Sequence, residues 1–159
     1  MIRQTAAEPI VGPRRYATYF RNSLLALYDG NSIPDTRYVV GLLNSKLLRW
    51  AYREAVREAS QRAFPQVKVS ALRALPIREI DLADPAQRAM YEQIIGSVDR
   101  ILQLCEQEGQ ATSPTDQRRL SSRIVATDQR IDQLVYALYG LDEHEIEQVE
   151  DSYRDSAAS

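Results

Sequence analysis

The stretch that decides the fold class covers residues 84–140 and reads DPAQRAMYEQIIGSVDRILQLCEQEGQATSPTDQRRLSSRIVATDQRIDQLVYALYG. Twice within it, a residue that caps helices is followed directly by proline, at Asp84-Pro85 and at Ser113-Pro114. Such a pair is typical of a helix start, because proline fits the first helical position. Gly109 and Gly140 are natural helix ends. The stretch therefore predicts two long helices joined by a short loop.

The apolar residues of both segments recur three and four positions apart, which is the spacing of helices that pack along one stripe. The stripes consist of Tyr91, Ile94, Val98, Ile101 and Cys105, and of Leu120, Ile124, Thr127, Ile131, Leu134 and Leu138. We therefore expect an antiparallel helical hairpin with Cys105 as a buried thiol. A short last helix should run from Asp142 to about Asp151, and residues 152–159 should form a frayed tail.

The first 80 residues combine strand-forming and helix-forming patterns. Residues 15–29 are rich in aromatic and partly alternating residues, which favours short strands. Residues 37–61 place apolar side chains on one arc and predict one long helix. The expected fold class is α+β and mostly helical. A small mixed recognition-like half, residues 1–80, should precede the helical hairpin scaffold, residues 81–151.

The formal net charge of −2 hides an uneven distribution. Residues 1–80 carry a net charge of +7, whereas residues 81–159 carry −9. Such asymmetry predicts a basic working surface in the first part and an acidic scaffold in the second. One cysteine excludes a disulfide framework, and no apolar run has the length of a signal peptide or a membrane span.

The motifs of several enzyme classes are missing from the sequence. The six glycines are isolated, so neither a phosphate-binding loop nor a dinucleotide fingerprint is present. The one histidine, His144, lies in an acidic helical turn, and no spacing of carboxylates and lysine indicates a metal-dependent nuclease. By exclusion, the sequence predicts a binding or assembly module without catalytic residues, cofactor or metal ligands of its own.

Cations on the predicted long helix fall on one arc, at Lys46, Arg49, Arg53 and Arg57. A stripe of this kind can follow the phosphates of DNA, which gives salt-dependent affinity without sequence information. The alternative is an ordinary solvated helix face. Lys68 is a further candidate for phosphate contact. Arg14 and Arg15, which follow the turn-forming Gly12-Pro13, are candidates for contact in a DNA groove.

Three phrases of the sequence resemble one known family. They are YVVGLLNSKLLRWAY at 38–52, FPQVKVSALRALPI at 64–77 and DQRIDQLVYALYGLDEHEI at 128–146. In amino-acid sequence, order and spacing they resemble the TaqI-like C-terminal specificity domains of N6-adenine DNA methyltransferases and fused type II restriction–modification enzymes. The resemblance extends from about residue 16 to 150.

The resemblance implies a bacterial, cytoplasmic DNA-binding domain that recognises the target sequence and is not an enzyme on its own. The chain would be a C-terminal fragment or a separately encoded counterpart, and S-adenosylmethionine would belong to an upstream catalytic domain. The implied partners are double-stranded DNA and a methyltransferase catalytic domain or subunit, with no membrane and with a homodimer left open. Two alternatives remain: a protein-interaction or dimerisation helical module, and a spacer-like part of a type I restriction specificity subunit.

Overall fold

The computed structural model describes residues 1–3, 9–12, 24–25, 35–57 and 67–157. Helices contain 76% of them, which confirms the mostly helical fold class. The elements are β1 (Ile2–Arg3), β2 (Leu24–Leu25), α1 (Thr36–Asn44), α2 (Lys46–Arg57), α3 (Val69–Arg73), α4 (Pro85–Gln110), α5 (Pro114–Tyr139) and α6 (Glu143–Ala157). Strands β1 and β2 pair antiparallel, and Ile2 also bridges to Val11. Most of the residues predicted to form strands, 15–29, lie outside the described part.

The ends of the long helices follow from local chemistry. The Asp84 carboxylate accepts a hydrogen bond from the Ala86 N–H at 2.9 Å, with Pro85 as the first residue of α4. Helix α5 ends at Gly140, whose φ of 71° is left-handed and costs glycine nothing because it has no Cβ. Both predicted helix starts and the predicted end of α5 are confirmed.

One hydrophobic core joins the two predicted halves of the chain. Leu42 of α1, Ile94 of α4 and Val149 of α6 all belong to it and are almost fully buried. Helix α1 approaches α4 so closely that a Cβ added to Gly41 would lie 2.6 Å from Ile94 Cγ2 and 3.3 Å from Val98 Cγ2. The boundary near residue 80 therefore separates charges, whereas the core continues across it.

The single long helix predicted for residues 37–61 is wrong at Ser45, where the chain divides into α1 and α2. Ser45 adopts an extended conformation (ψ 151°), and its hydroxyl accepts a hydrogen bond from the Leu48 N–H at 3.3 Å. The Lys46 N–H donates to the buried Asp132 carboxylate at 2.8 Å. Because these two side chains satisfy N–H groups of the first turn of α2, a new helix starts here at little cost.

The last helix is longer than predicted, because α6 extends to Ala157 and not only to about Asp151. The frayed tail predicted for residues 152–159 is wrong as far as Ala157, and residues 158–159 lie outside the described part. Asp142 and Glu145 start it with a reciprocal capping box: each backbone N–H donates to the other side chain, at 2.9 and 2.8 Å. Near its other end, the Tyr153 hydroxyl donates to the Lys46 carbonyl at 3.1 Å. Contacts with α2 therefore hold in a helix the residues that the sequence alone leaves without partners.

Cys105 is exposed, so the buried thiol predicted from the heptad pattern is wrong. Helix α4 packs against α1 near Ile94, but at its last turn Glu108 accepts a hydrogen bond from Ser121 of α5. The buried side of α4 changes along its length, because α1 and α5 both adjoin it near Ile94, whereas the contact at its last turn is with α5. Toward the end of α4, Leu104 is buried in place of Cys105.

Candidate nucleic-acid interface

The basic stripe predicted on α2 lies beside α5 and α6. The Lys46 ammonium donates to the Glu150 carboxylate, with 2.7 Å between Nζ and Oε2. The same Nζ lies 3.8 Å from Asp132 Oδ2. Lys46 is therefore part of an ion-pair network within the chain.

Asp132 is the most buried carboxylate of this network, at 3% exposure. Burial raises its pKa to about 6, and the negative charges of Asp128 and Glu150 act in the same direction. The hydrogen bond from the Lys46 N–H and the charge of Lys46 oppose that rise. Among the described residues, Asp132 Oδ2 has no hydrogen-bond donor, so the carboxylate is incompletely solvated by the protein.

Glu150 has the opposite balance. Burial raises its pKa, but hydrogen bonds from Lys46 and from the Tyr136 hydroxyl, at 2.9 Å, outweigh this and leave the pKa below its usual range. The pKa of Tyr136 is raised by burial and by the same bond. The network therefore holds Glu150 as an anion against Lys46.

The next two cations of the stripe contact the end of α6. The guanidinium of Arg53 lies 4.2 Å from the centroid of the Tyr153 ring and donates to the Ser152 hydroxyl at 2.9 Å. Arg49 lies 5.6 Å from the same centroid. Arg49 and Lys46 also oppose the rise that burial causes in the pKa of Asp128 on α5. Three predicted phosphate contacts thus already meet groups of α5 and α6.

The remaining predicted site residues are placed differently. Lys68 is exposed and immediately precedes α3, where its backbone N–H donates to the buried Tyr52 hydroxyl at 2.8 Å. Arg73, at the end of α3, is also exposed. Arg57 is the last residue of α2, but its side chain lies outside the described part, as do Arg14 and Arg15 entirely. Contact of any of these residues with DNA stays a prediction.

Counting charges by helix shows what the division at residue 80 missed. Residues 85–139, which contain α4 and α5, carry six arginines and seven acidic residues. Residues 140–159, which contain α6, carry one arginine and seven acidic residues. The acidity is therefore concentrated in the helix that lies on the α2 stripe. Helix-by-helix counting of the sequence would have found this.

No helix within the described ranges is long and apolar enough to cross a membrane.

The family comparison concerns the part of the chain that contains α1, α2 and α3. Residues 1–77 match the TaqI-like C-terminal specificity domain. We call residues 1–77 the TaqI-like segment. It contains the first two resembling phrases, 38–52 and 64–77, so the resemblance is confirmed for them, whereas the third phrase, 128–146, lies outside the match. No curated protein and no solved structure matches the chain significantly.

The TaqI-like segment includes every cation that the sequence singled out for DNA contact. The match supports DNA binding and target recognition in a restriction–modification methyltransferase.

Proposed function

We propose that the chain recognises double-stranded DNA as the specificity component of an N6-adenine DNA methyltransferase or of a fused type II restriction–modification enzyme. The observation that carries the proposal is the match of residues 1–77 to the TaqI-like specificity domain. On this proposal the chain is not catalytic by itself and acts in the bacterial cytoplasm. S-adenosylmethionine and the reacting groups belong to a methyltransferase catalytic domain or subunit, which is the second partner.

On the same proposal, α4 and α5 form an antiparallel helical hairpin scaffold that holds the TaqI-like segment. Two sets of contacts support this role. Arg37 of α1 donates to Asp99 of α4 at 2.7 Å. At the end of the segment, the Tyr139 hydroxyl of α5 donates to the Pro76 carbonyl at 2.6 Å and accepts from the Arg78 N–H at 3.2 Å. Contacts near its middle, at Arg37, and at its end, at Pro76, fix the orientation of the segment on the scaffold.

Lys68 is our first choice among the described residues for phosphate contact, because it is exposed and belongs to the matched segment. Arg14 and Arg15 are our choice for groove contact. The test is fluorescence anisotropy of the full chain with labelled duplex DNA over a range of salt concentrations. We expect measurable affinity at low salt, and the logarithm of the binding constant should fall linearly with the logarithm of the salt concentration.

The variant Lys68→Gln should lower the salt slope by about 1, because one phosphate contact is lost. The double variant Arg14→Gln, Arg15→Gln should reduce the preference for the recognised sequence over random DNA. As a control, Arg154→Gln removes an exposed cation outside the matched segment and should leave both quantities unchanged. If the chain has no measurable DNA affinity at a low salt concentration of about 20 mM, the proposal is contradicted.

The α2 stripe needs a different test, because Glu150 competes with phosphate for Lys46. If Lys46, Arg49, Arg53 and Arg57 contact DNA, removing the competing carboxylate should strengthen binding. Glu150→Gln removes it, while Asp151→Asn removes a neighbouring charge that pairs with Arg154 at 2.6 Å, away from Lys46. We expect a larger gain in affinity from Glu150→Gln. Equal effects of the two variants would mean that the stripe serves packing against α6 alone.

A further inference from the structure

A row of arginines extends along the exposed side of α5. Arg119, Arg123 and Arg130 are exposed, and their spacing of four and seven residues places them within about 40° of one another around the helix axis. At a rise of about 1.5 Å per residue the row is about 16 Å long. These cations lie in the half of the chain that the net charge marks as acidic.

Helix α4 contributes a fourth arginine to this row. Arg130 donates to the Gln93 side chain of α4 at 2.9 Å, which identifies the edge of α4 that adjoins the row. Arg100 lies two turns after Gln93, on the same edge, and Arg123 lies two turns before Arg130. The pairing of Glu108 with Ser121, compared with that of Gln93 with Arg130, shows that α4 and α5 run in opposite directions. Arg100 therefore lies beside Arg123.

We call Arg100, Arg119, Arg123 and Arg130 the arginine face. Nearby carboxylates are directed elsewhere. Asp99 bonds to Arg37 of α1 at 2.7 Å, and Glu108 bonds to Ser121. One carboxylate does meet the face, because Asp116 pairs with Arg119 at 3.0 Å. Because that pair is exposed to solvent, its interaction energy is small.

The arginine face differs from the α2 stripe in one decisive respect. On α2, Lys46 is bound by the Glu150 carboxylate. Within the described ranges, Arg100 and Arg123 make no ion pair with the chain. A row of guanidinium groups, in which Arg123 is exposed and Arg100 is half-buried, fits a polyanion with regularly spaced charges. Guanidinium binds phosphate in a bidentate manner.

We propose that the arginine face binds the phosphate backbone of double-stranded DNA beside the sequence that the TaqI-like segment reads. This inference rests on the proposed function and deepens it: the segment selects the sequence, and the α4–α5 surface adds affinity that is independent of sequence. DNA is the occupant that charge complementarity favours, because a row of about 16 Å spans about five phosphates of one strand at 3.4 Å each. Glu150 of α6 binds Lys46 of α2 instead.

Two matched variants on α5 test the inference. Arg123→Gln removes a cation of the face. Arg118→Gln removes an exposed arginine at the other edge of α5, beside Cys105 and Glu108. We expect Arg123→Gln to lower the salt slope by about 0.9, which at 0.1 M salt raises the dissociation constant about eightfold for any duplex sequence. Arg118→Gln should change neither quantity, and the double variant Arg100→Gln, Arg123→Gln should lower the slope about twice as much.

The outcomes separate this inference from the proposed function. If the wild-type chain binds DNA and Arg123→Gln and Arg118→Gln both keep its salt slope, the inference fails and the proposed function stands. If the wild-type chain does not bind, both fail. If the double variant keeps its DNA affinity but loses a methyltransferase subunit that the wild type retains, the face docks protein and the inference is overturned. Thermal melting that is equal for the two single variants excludes misfolding as the cause.

Discussion

Gly41 offers the sharpest test of how the TaqI-like segment packs on α4. In Gly41→Ala, the new Cβ would lie 2.6 Å from Ile94 Cγ2, far inside the 3.5–4.0 Å at which carbon atoms attract each other. Ile94 is completely buried, and its Cγ2 atom is attached directly to Cβ, so rotation of a flexible side-chain end does not relieve the clash. Overpacking of this kind costs about 1–3 kcal/mol, against about 1 kcal/mol that alanine gains over glycine in a helix. We therefore expect a net loss of up to about 2 kcal/mol.

Gly96 is the matched control, because it is an exposed glycine inside α4 with no atom within 4 Å of an added Cβ. Gly96→Ala should stabilise the protein by up to about 1 kcal/mol, since only the backbone effect operates. Urea denaturation followed by circular dichroism measures both changes. The loss at Gly41 corresponds to a fall of up to about 8 °C in Tm for a chain of this size. Stabilisation by both substitutions would refute the close approach of α1 to α4.

A double-mutant cycle locates the clash. Ile94→Ala removes the Cγ2 atom that the new methyl group meets, so alanine at position 41 should cost less in that background. An unchanged cost would mean that the penalty arises from something other than the contact with Ile94.

Two further predictions concern the network between α2, α5 and α6. Asp132 has a pKa raised to about 6, so the folded protein binds an extra proton between about pH 4 and 6, and its stability falls as the pH rises through that window. Asp132→Asn should therefore be more stable than wild type at pH 8, by up to about 2–3 kcal/mol, and as stable as wild type near pH 4. A stability difference that is the same at pH 8 and pH 4 contradicts this prediction. Glu150 has a lowered pKa, so its contribution is present above about pH 5 and is lost as the pH falls through the folded-state value. Glu150→Gln should cost about 1–2 kcal/mol at pH 7, and this cost should shrink as the pH falls below about 4.5, as urea denaturation at each pH would measure.

The features that sequence reasoning predicted correctly depend on neighbours in the chain. The Asp84 cap and the left-handed Gly140 each involve groups within four residues, so local patterns suffice to predict them. The break at Ser45 depends on the Asp132 carboxylate, which accepts from the Lys46 N–H and lies 86 residues after Lys46 in the chain. The sequence of α1 and α2 therefore does not predict it. The extension of α6 depends likewise on the contact of Tyr153 with Lys46, 107 residues away.

The same distinction applies to the candidate interface. Helical spacing places Lys46, Arg49 and Arg53 on one side of α2, and the structure shows them meeting groups of α5 or α6. Spacing does not reveal what that side faces, because the facing residues belong to helices about a hundred residues further along the chain. The acidic helix α6 contacts the basic stripe, since Glu150 binds Lys46 directly.

Net charge is a poor guide to a DNA-binding surface when opposite charges of one chain bind each other. The positive first half and the negative second half are not two independent surfaces, because the acidic helix α6 lies on the basic helix α2. Each lysine or arginine held in this way adds to the formal charge of its half without offering that charge to phosphate. The cations that matter for a polyanion are those that the fold leaves exposed and without a carboxylate partner. By that criterion Arg123, in the half with a net charge of −9, ranks above Lys46 in the half with +7. A salt slope that responds to Arg123 and not to Arg118 would show that the position of a charge decides binding, whereas the sum of the charges does not.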